Sequence, residues 1–352
     1  DKDVIEKFFE NVVRAESMIM PIDKPMDKMG PRDFMKLGDF AKNVPAAQKA
    51  YKGVSVKDLS ESFKHPVLQG AVMNTHPEMT QAYSFIMSYA MVTSGSGDIP
   101  EGGSLAAALR IADRYKSVGG KLHLGAPVKS VKLNGKIADG IVLEDGTEVN
   151  ADYVICATDA NHTFTKLLPA SYMPKKLQKC FDDKEHFSVF SKFHAAFVID
   201  GKTSIPIDTT YWGVKGFKVW GREHSHVGVI SYDYDPTIVP ADKTVVQMKI
   251  FQYGKEIDNW FELANDREKY EAKKLEIAAQ MQALIEEQFP ETKGKIRLLD
   301  TWSPLTYAKH NNSYRGAYMA FVADKDTKTV TTPGVIKGLK NVFLCGQWLM
   351  GS

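Results

Sequence analysis

The fold is decided by residues 101–158, which read EGGSLAAALRIADRYKSVGGKLHLGAPVKSVKLNGKIADGIVLEDGTEVNADYVICAT. After the Gly-Gly-Ser start, apolar side chains recur at helical spacing: Leu105, Ala108, Leu109, Ala112 and Tyr115. Gly119 and Gly120 supply a helix cap, because glycine adopts the left-handed conformation in which many helices end. We therefore predict a helix that begins near Ser104 and ends before Gly119.

Short strands follow this helix in quick succession. We predict them over residues 121–124, 128–133, 141–143, 147–149 and 152–157. Asn134-Gly135 is a strong hairpin turn, and Asp145-Gly146 turns the chain again. The run from Asp152 to Ala157 is apolar and indicates a buried strand that ends the set.

Upstream, residues 1–20 have helical spacing, and the segment to about residue 50 is rich in methionine and broken by four prolines. Such a segment fits either an irregular loop packed on a core or an adaptable wall over an apolar cavity. Residues 79–92 predict a helix that is apolar nearly all round, so it is buried or faces something lipophilic.

Downstream, residues 187–199 alternate between apolar and other side chains, and residues 227–232 and 244–253 also predict strands. Together they indicate an antiparallel sheet with one buried face. A long amphipathic helix over residues 266–289 is stopped by Pro290. Two further strands are predicted over residues 295–299 and 341–345.

Composition excludes several classes of protein. The chain has 352 residues, enough for two or three domains, with a net charge of +2. It carries no basic block of the kind that nucleic-acid binding needs, so we expect no nucleic-acid partner. No run approaches the ~20 apolar residues of a membrane span. The start is no signal peptide, and both ends are abrupt, as expected of a fragment.

Cysteine and histidine patterns do not indicate a metal site. Cys156, Cys180 and Cys345 are widely spaced and without a CxxC pair, which argues against a disulfide framework and favours a reducing cytoplasm. Cys156 and Cys345 lie in apolar runs and are predicted to be buried strand residues. His224 and His226 form an H-x-H pair, yet no carboxylate or cysteine stands at metal spacing, so hydrogen-bonded or solvent-facing histidines are expected. No acid–base or nucleophile constellation stands out, and no catalytic residue is assigned.

The ordered set of motifs in residues 101–158 resembles the middle of the flavoenzyme superfamily that contains amine oxidases, phytoene desaturases and retinol saturases. There the order runs through a PxGG helix start, a GG turn and a strand ending DGxxxxADxVIxA. In that family the residue matching Val128 holds the adenine of FAD through its backbone. The resemblance therefore implies that Val128 binds the cofactor, with Ala157 and Thr158 near the adenosine end.

Two later stretches carry the same resemblance. The run GLKNVFLCGQW at residues 338–348 is similar to the family's GLxNLYxAGDW strand. It implies that Gly346 approaches the phosphates or ribitol, with Gln347 and Trp348 beside it. Gln347 stands where the family often has an acidic residue. This difference affects the expected contact with the cofactor more than it affects the assignment to the family. The runs WSPLTY at residues 302–307 and YRGAYMAF at residues 314–321 are similar to the family's TPxTxxRY…GxxYG stretch. This similarity implies that Trp302, Tyr307 and Tyr318 lie near the flavin ring, as residues of a substrate tunnel.

One expected motif is missing. The family holds the FAD pyrophosphate on a G-x-G-x-x-G loop after its first strand. The glycine cluster at residues 95–103 follows a helix instead, so it fails that context. We interpret this as a truncated or separate N-terminal unit, and we expect the chain by itself to hold FAD poorly.

These observations predict an α/β protein with a partial Rossmann-like FAD-binding domain interleaved with an α+β substrate domain that contains the antiparallel sheet. The FAD-binding portions are residues 101–165 and 325–352, and the substrate domain comprises residues 1–100 and 166–324. Neither the pattern nor the resemblance predicts an oligomeric state.

The resemblance implies an FAD-dependent oxidoreductase that transfers hydride between flavin and a C=C or C–C bond of a lipophilic small molecule. The methionine-rich segment and helix 79–92 suit such a substrate and are compatible with peripheral contact between a cytoplasmic protein and a membrane. Two alternatives stay open: a flavin amine oxidase, and a non-catalytic module that binds lipid or acts as a scaffold.

Overall fold

The computed structural model describes residues 1–16, 30–36, 38–322, 324–325 and 330–349. Its helices are α1 Lys2–Glu16, α2 Pro31–Lys36, α3 Gly38–Ala50, α4 Val56–Glu61, α5 Pro66–Met73, α6 Ala82–Thr93, α7 Gly103–Ser117, α8 Ala160–His162, α9 Lys175–Asp182, α10 Gly254–Glu262, α11 Arg267–Gln288 and α12 Pro304–Asn311. A π-helical turn, Thr163–Leu167, continues α8. Among the described helices, none combines the length and the apolar character needed to span a bilayer.

The described strands form antiparallel sheets and one parallel pair. They are β1 Val128–Asn134, β2 Ile137–Leu143, β3 Glu148–Asn150, β4 Val154–Cys156, β5 Phe190–Asp200, β6 Asp208–Gly213, β7 Lys218–Val219, β8 Arg222–Glu223, β9 His226–Ser231, β10 Lys243–Tyr253, β11 Ile296–Trp302 and β12 Val342–Leu344. Only β4 and β12, within the described part of the chain, pair in parallel.

The predicted antiparallel sheet is confirmed and has five strands in the order β11-β5-β10-β9-β6. Successive side chains of a strand point to opposite faces. On one face, Phe193 and Phe197 of β5 pack with β9, β10 and the helix α11 in a core of fully buried side chains. Phe193 stacks on Trp260 of α10, with ring centroids 5.5 Å apart. The other face carries Lys192 and His194, and it looks toward the site described below.

The three-stranded sheet β1-β2-β3 follows the predicted hairpins. Gly135 has φ +62° in the turn between β1 and β2, as the Asn-Gly signal predicts. The strand predicted over residues 121–124 is wrong, since these residues form no ladder. Leu122 and Leu124 are 50% and 84% exposed, so this apolar stretch finds neither a partner strand nor a covering layer in the described chain.

The N-terminal helices form a separate core. Phe8 and Val12 of α1 pack with Phe85 and Ile86 of α6. An irregular loop up to residue 50 was the wrong expectation, because α2 and α3 occupy residues 31–36 and 38–50. Pro31 is compatible with this, since it is the first residue of α2, where its missing N–H is not needed.

Much of the methionine-rich segment lies outside the described residues. Met18, Met20, Met26 and Met29 are outside the described residues. Met35 is in α2 and 80% exposed, so it lines no apolar cavity there. The alternative of an adaptable wall over a cavity therefore stays a prediction for the other methionines.

A further core joins distant parts of the chain. Val154 of β4 and Leu344 of β12 pack in it with Phe164, Phe181 and Phe321. These residues come from both segments predicted to form the FAD-binding domain and also from the segment predicted for the substrate domain. The proposed division into two domains stays a prediction.

Candidate functional site

The site is built where the parallel strands β4 and β12 end. Val154 pairs with Val342 and Cys156 with Leu344, so the two strands end at the same edge of the sheet. The carboxyl ends of parallel strands are a common place for ligand sites. A cavity of about 370 Å³ opens at this edge, and its walls are Ala157, Thr158, Asp159, Tyr307, Asn311, Ser313, Ala317, Tyr318, Cys345, Gly346, Gln347 and Trp348.

Asp159 ties the two sides of the cavity together. Its carboxylate accepts hydrogen bonds from the backbone N–H groups of Asn161 (2.8 Å) and His162 (3.3 Å), which caps α8. The other oxygen accepts from the N–H of Tyr314, 2.9 Å away. Burial raises the pKa of Asp159, and these three N–H donors oppose the increase.

The turn after β12 leaves room beside the backbone. Gly346 has φ +105°, and no heavy atom lies within 4 Å of the place a Cβ would occupy. A side chain would be strained at this φ, so glycine suits a backbone that a ligand approaches closely. Trp348 follows, buried against Phe181 and Phe321. This aromatic packing anchors the turn that carries Gly346 and Gln347.

A strained loop brings Tyr318 to the cavity. Asn312, Arg315 and Gly316 have φ values of +51°, +54° and +66°. Gly316 lies so close to Pro304 of α12 that a Cβ there would be 2.0 Å from the carbonyl oxygen. The hydroxyl of Ser191 donates to the Gly316 carbonyl at 2.6 Å. The loop is thus held against both α12 and β5.

Two tyrosines of the cavity contact buried bases of the sheet. The Tyr307 hydroxyl is 2.9 Å from Nε2 of His194, and burial lowers the pKa of His194 to about 4. The Lys192 ammonium lies 3.5 Å from the centre of the Tyr318 ring. Burial, followed by the positive charge of Lys249, lowers the pKa of Lys192 to about 7. Burial also raises the pKa of Tyr307 to about 12, so its hydroxyl keeps its proton at neutral pH.

The cavity gathers most of the predicted site residues. Ala157, Thr158, Gly346, Gln347, Trp348, Tyr307 and Tyr318 all line it. Val128 does not, since it begins β1, half-buried against the core that β4 and β12 share. Trp302 lines a different groove, between α11 and α12, although its ring lies 5.4 Å from that of Tyr307.

Sequence reasoning missed several wall residues. Asp159 is a helix N-cap that directly follows Thr158, and this position was a usable signal. Asn311 and Ser313 flank the left-handed Asn312, where the pattern gave no signal. Cys345, predicted to be a buried thiol, is exposed to the cavity, because it comes after the last residue of β12. Cys156 is buried as predicted.

Other grooves lie elsewhere. One of about 1080 Å³ runs beside β2 and β3, and none of the predicted site residues lines it. Among the described residues, no three His, Cys, Asp or Glu side chains are grouped so that they could hold a metal ion. The His224 imidazole is buried against Phe217, 5.2 Å between ring centres.

The chain resembles known proteins over most of its length. The sequence model of the family described as flavin containing amine oxidoreductase matches residues 15–351. A lycopene-forming phytoene desaturase from Paracoccus sp. (strain N81106 / MBIC 01143) is 29% identical over 149 residues. That match covers 40% of this chain and only 29% of the relative's own length.

Solved structures resemble the fold. The crystal structure of an oxidoreductase from Methanosarcina mazei gives a TM-score of 0.55 at 16% identity and covers 92% of this chain and 69% of that one. A protein from Pyrococcus furiosus gives 0.42 at 15% identity, over 83% of this chain and 60% of that one. Since the family model matches nearly the whole sequence, the chain belongs to the flavin containing amine oxidoreductase family.

Proposed function

We propose that the protein is an FAD-dependent oxidoreductase that transfers hydride between the flavin and a C=C or C–C bond of a lipophilic substrate. The observation that carries this proposal is the cavity at the ends of β4 and β12, which joins Thr158, Gly346 and Tyr318 from three distant parts of the sequence. Its volume of about 370 Å³ falls in the range of about 300–1,000 Å³ that small-molecule sites occupy.

The walls fit a flavin ring. Ser313 Oγ and Trp348 Nε1 are buried without a hydrogen-bond partner, and both residues line the cavity. Buried polar atoms are rarely left unpaired, so these two groups are suited to a ligand with ring carbonyls and nitrogens. Thr158, Asn311 and Gln347 add uncharged donors and acceptors.

When bound, the flavin supplies the hydride chemistry, and the protein contributes binding, orientation and exclusion of water. Because Gly346 has no side chain, the cofactor could approach the backbone closely at this turn. Asp159 holds the Tyr314 N–H and thereby fixes the loop that leads to Tyr318. The aromatic rings of Tyr307 and Tyr318 form a flat wall against which an apolar substrate can lie.

The cavity would hold the flavin ring, and the remainder of FAD would need a further part of the protein to bind it. None of the α7 residues is buried, and Leu105, Leu109 and Ile111 are 71%, 54% and 72% exposed. Apolar patches of this kind usually mark a surface that is covered by something else. We propose that a dinucleotide-binding unit with a G-x-G-x-x-G loop covers α7 and completes the FAD site with Val128. The greater length of the relatives supports this, as does the exposed stretch of residues 121–124.

The lipophilic substrate is inferred from the relative and from the aromatic walls. Helix α6 buries Phe85 and Ile86 but leaves Met91 and Val92 49% and 65% exposed. These exposed apolar side chains suit peripheral contact of a cytoplasmic protein with a membrane from which such a substrate is drawn.

A flavin titration followed by a substrate test examines the proposal. The longest form of the protein that its gene encodes is expected to quench FAD fluorescence and to show flavin absorbance, whereas residues 1–352 alone bind FAD weakly. Ser313→Ala is expected to weaken FAD binding severalfold, because it removes a buried hydroxyl of the cavity. The matched control, Ser171→Ala, changes an exposed serine outside the cavity and leaves binding unchanged.

Anaerobic mixing then assigns the reaction. Spectral change of the flavin by a polyene supports the proposal. Bleaching by a primary amine assigns a flavin amine oxidase instead. If the longest form binds no flavin, the redox assignment is overturned and a non-catalytic lipid-binding or scaffolding role takes its place.

A further inference from the structure

The sheet face behind Tyr307 and Tyr318 carries several basic side chains. In the register of β5 and β10, Lys249 lies directly opposite His194, and Phe251 lies opposite Lys192. Cross-strand partners and next-but-one residues share a face. Lys192, His194 and Lys249 therefore stand together on the face opposite the α11 core.

Within the described part of the chain, the two lysines of this face have no acidic partner. Lys192 is only 7% exposed, and Lys249 is partly buried. Among the described residues, no carboxylate forms an ion pair or hydrogen bond with either ammonium group, and none contributes to its pKa. The contacts of Lys192 are instead the rings of Tyr318 (3.5 Å) and Phe251 (5.4 Å). Buried charges in proteins are normally paired, so this arrangement needs an explanation.

A further base faces the same place from the helical layer. His76 follows α5, and its Nε2 is 3.1 Å from the hydroxyl of Ser88 in α6. Its Nδ1 is buried and has no hydrogen-bond partner. Burial, followed by the charges of Lys192 and Lys249, lowers the pKa of His76 to about 4, so both ammonium groups act on this ring.

The cluster lies directly behind two wall residues of the cavity. Tyr318, whose ring lies against Lys192, and Tyr307, whose hydroxyl contacts His194, are both wall residues. A ligand that extended from the cavity past these tyrosines would meet the basic face. A cationic amine there would be repelled by two ammonium groups, whereas an anion would relieve their mutual repulsion.

We propose that His76, Lys192 and Lys249 bind an anionic oxygen head group, a carboxylate or a phosphate, at one end of an elongated apolar substrate. This inference rests on the proposed function and narrows its substrate class from any lipophilic molecule to an amphipathic anion. An anionic oxygen can accept hydrogen bonds from both ammonium groups, and also from Nδ1 of His76 when that nitrogen carries a proton.

Equilibrium displacement of a fluorescent polyenoic fatty acid tests the proposal without any redox step. Palmitate and hexadecyl phosphate are compared at pH 7 with their neutral counterparts, methyl palmitate and hexadecanol. We expect the anions to bind at least about tenfold more tightly, the size of a charge-assisted hydrogen bond. The order of the two anions identifies the head group.

Substitutions of single lysines test which side chain causes the preference for the anion. Lys249→Met is expected to reduce the preference for the anion to less than about twofold while methyl palmitate still binds, which shows that the variant is folded. Lys249→Arg retains the preference. The matched control, Lys255→Met, removes an exposed lysine of α10 and changes nothing.

Two results overturn the inference: equal binding of palmitate and methyl palmitate by the wild type, or an undiminished preference in both Lys249→Met and Lys192→Met. Either result can occur while a polyene hydrocarbon still changes the flavin spectrum, in which case only the head-group inference fails. Conversely, selective anion binding without any flavin would remove the proposed redox function alone.

Discussion

At the scale of single residues, Lys192 is subject to opposing effects. Burial in β5 and the charge of Lys249 favour its neutral form and lower its pKa to about 7. The face of the Tyr318 ring, 3.5 Å away, favours the ammonium form through a cation–π interaction. Desolvation is the larger effect, so the direction of the pKa change is downward.

This pKa makes stability depend on pH. The folded-state value of about 7 lies below the ordinary value of 10.5. Between these two values the unfolded chain binds the proton more readily, so the free energy of unfolding increases with pH and the lysine destabilises the fold as pH falls toward 7. Relative to Lys192→Met, the wild type is expected to gain up to about 1.4 kcal/mol per pH unit between pH 8 and pH 10.

Urea denaturation of both proteins across this pH range measures the difference. Lys255→Met serves as the control, because its lysine is exposed, and its difference from the wild type should be constant with pH. A constant difference for Lys192→Met as well would contradict the lowered pKa.

Some residues of the site were predicted from the sequence, and others were not. Ala157, Thr158 and Gly346 were predicted from the family resemblance of the strands that they follow, and all three line the cavity. Lys192 was not, since a lysine inside an alternating strand is ordinarily an outward-facing residue. Its burial depends on which elements cover the second face of the sheet, and a strand pattern carries no information about that.

At the scale of elements, the contact between α12 and the loop after it shapes the cavity. Gly316 has φ +66° and lies against the backbone of Pro304, the first residue of α12. Since α12 carries Tyr307 and the loop leads to Tyr318, this contact sets how far apart the two rings lie.

Gly316→Ala is expected to force these elements apart. The added methyl group would meet the Pro304 carbonyl at 2.0 Å, and neither backbone can yield without moving Tyr307. We expect a loss of about 3 kcal/mol in the free energy of unfolding and weaker binding of any ligand in the cavity. Urea denaturation followed by tryptophan fluorescence measures the loss.

Gly146→Ala is the matched control. Gly146 also has a positive φ, +86°, but a Cβ there meets nothing within 4 Å. It should therefore cost only the conformational strain, about 1 kcal/mol. Equal losses for the two variants would show that the close approach at Pro304 has no effect of its own.

Elements with a clear local signal in the sequence were predicted well. Elements that form only against a neighbouring segment were not. The helix α7 and the hairpin β1–β2 follow local signals, namely helical spacing and Asn-Gly. Residues 121–124 have strand composition but form no strand, because a strand requires a partner for its backbone groups. Residues 38–50 are helical despite Pro45, since tertiary packing can outweigh a single unfavourable residue.

At the scale of the whole molecule, the exposed apolar side of α7 should govern behaviour in solution. Leu105 and Leu109 are one helical turn apart and lie on the same side of α7. With them exposed, residues 1–352 alone are expected to self-associate as the protein concentration increases.

Replacing both leucines by glutamate should abolish this association and reduce bis-ANS fluorescence at least about twofold. Sedimentation velocity at several concentrations measures the first effect. The control exchanges Leu275 and Leu299, which are 57% and 54% exposed, for glutamate and should leave association intact. If the control substitutions abolished association equally, the apolar side of α7 would not be its specific cause.

The pairing of β4 with β12 also has a consequence for the order of assembly. Val154 meets Val342 across more than half the length of the chain, and contacts between residues so distant in sequence form slowly. During synthesis the hairpin β1–β2 and the pairing of β5 with β10 can form on the ribosome before residue 342 is made. The cavity edge cannot, so the nascent chain acquires ligand capture only after β12 has been made.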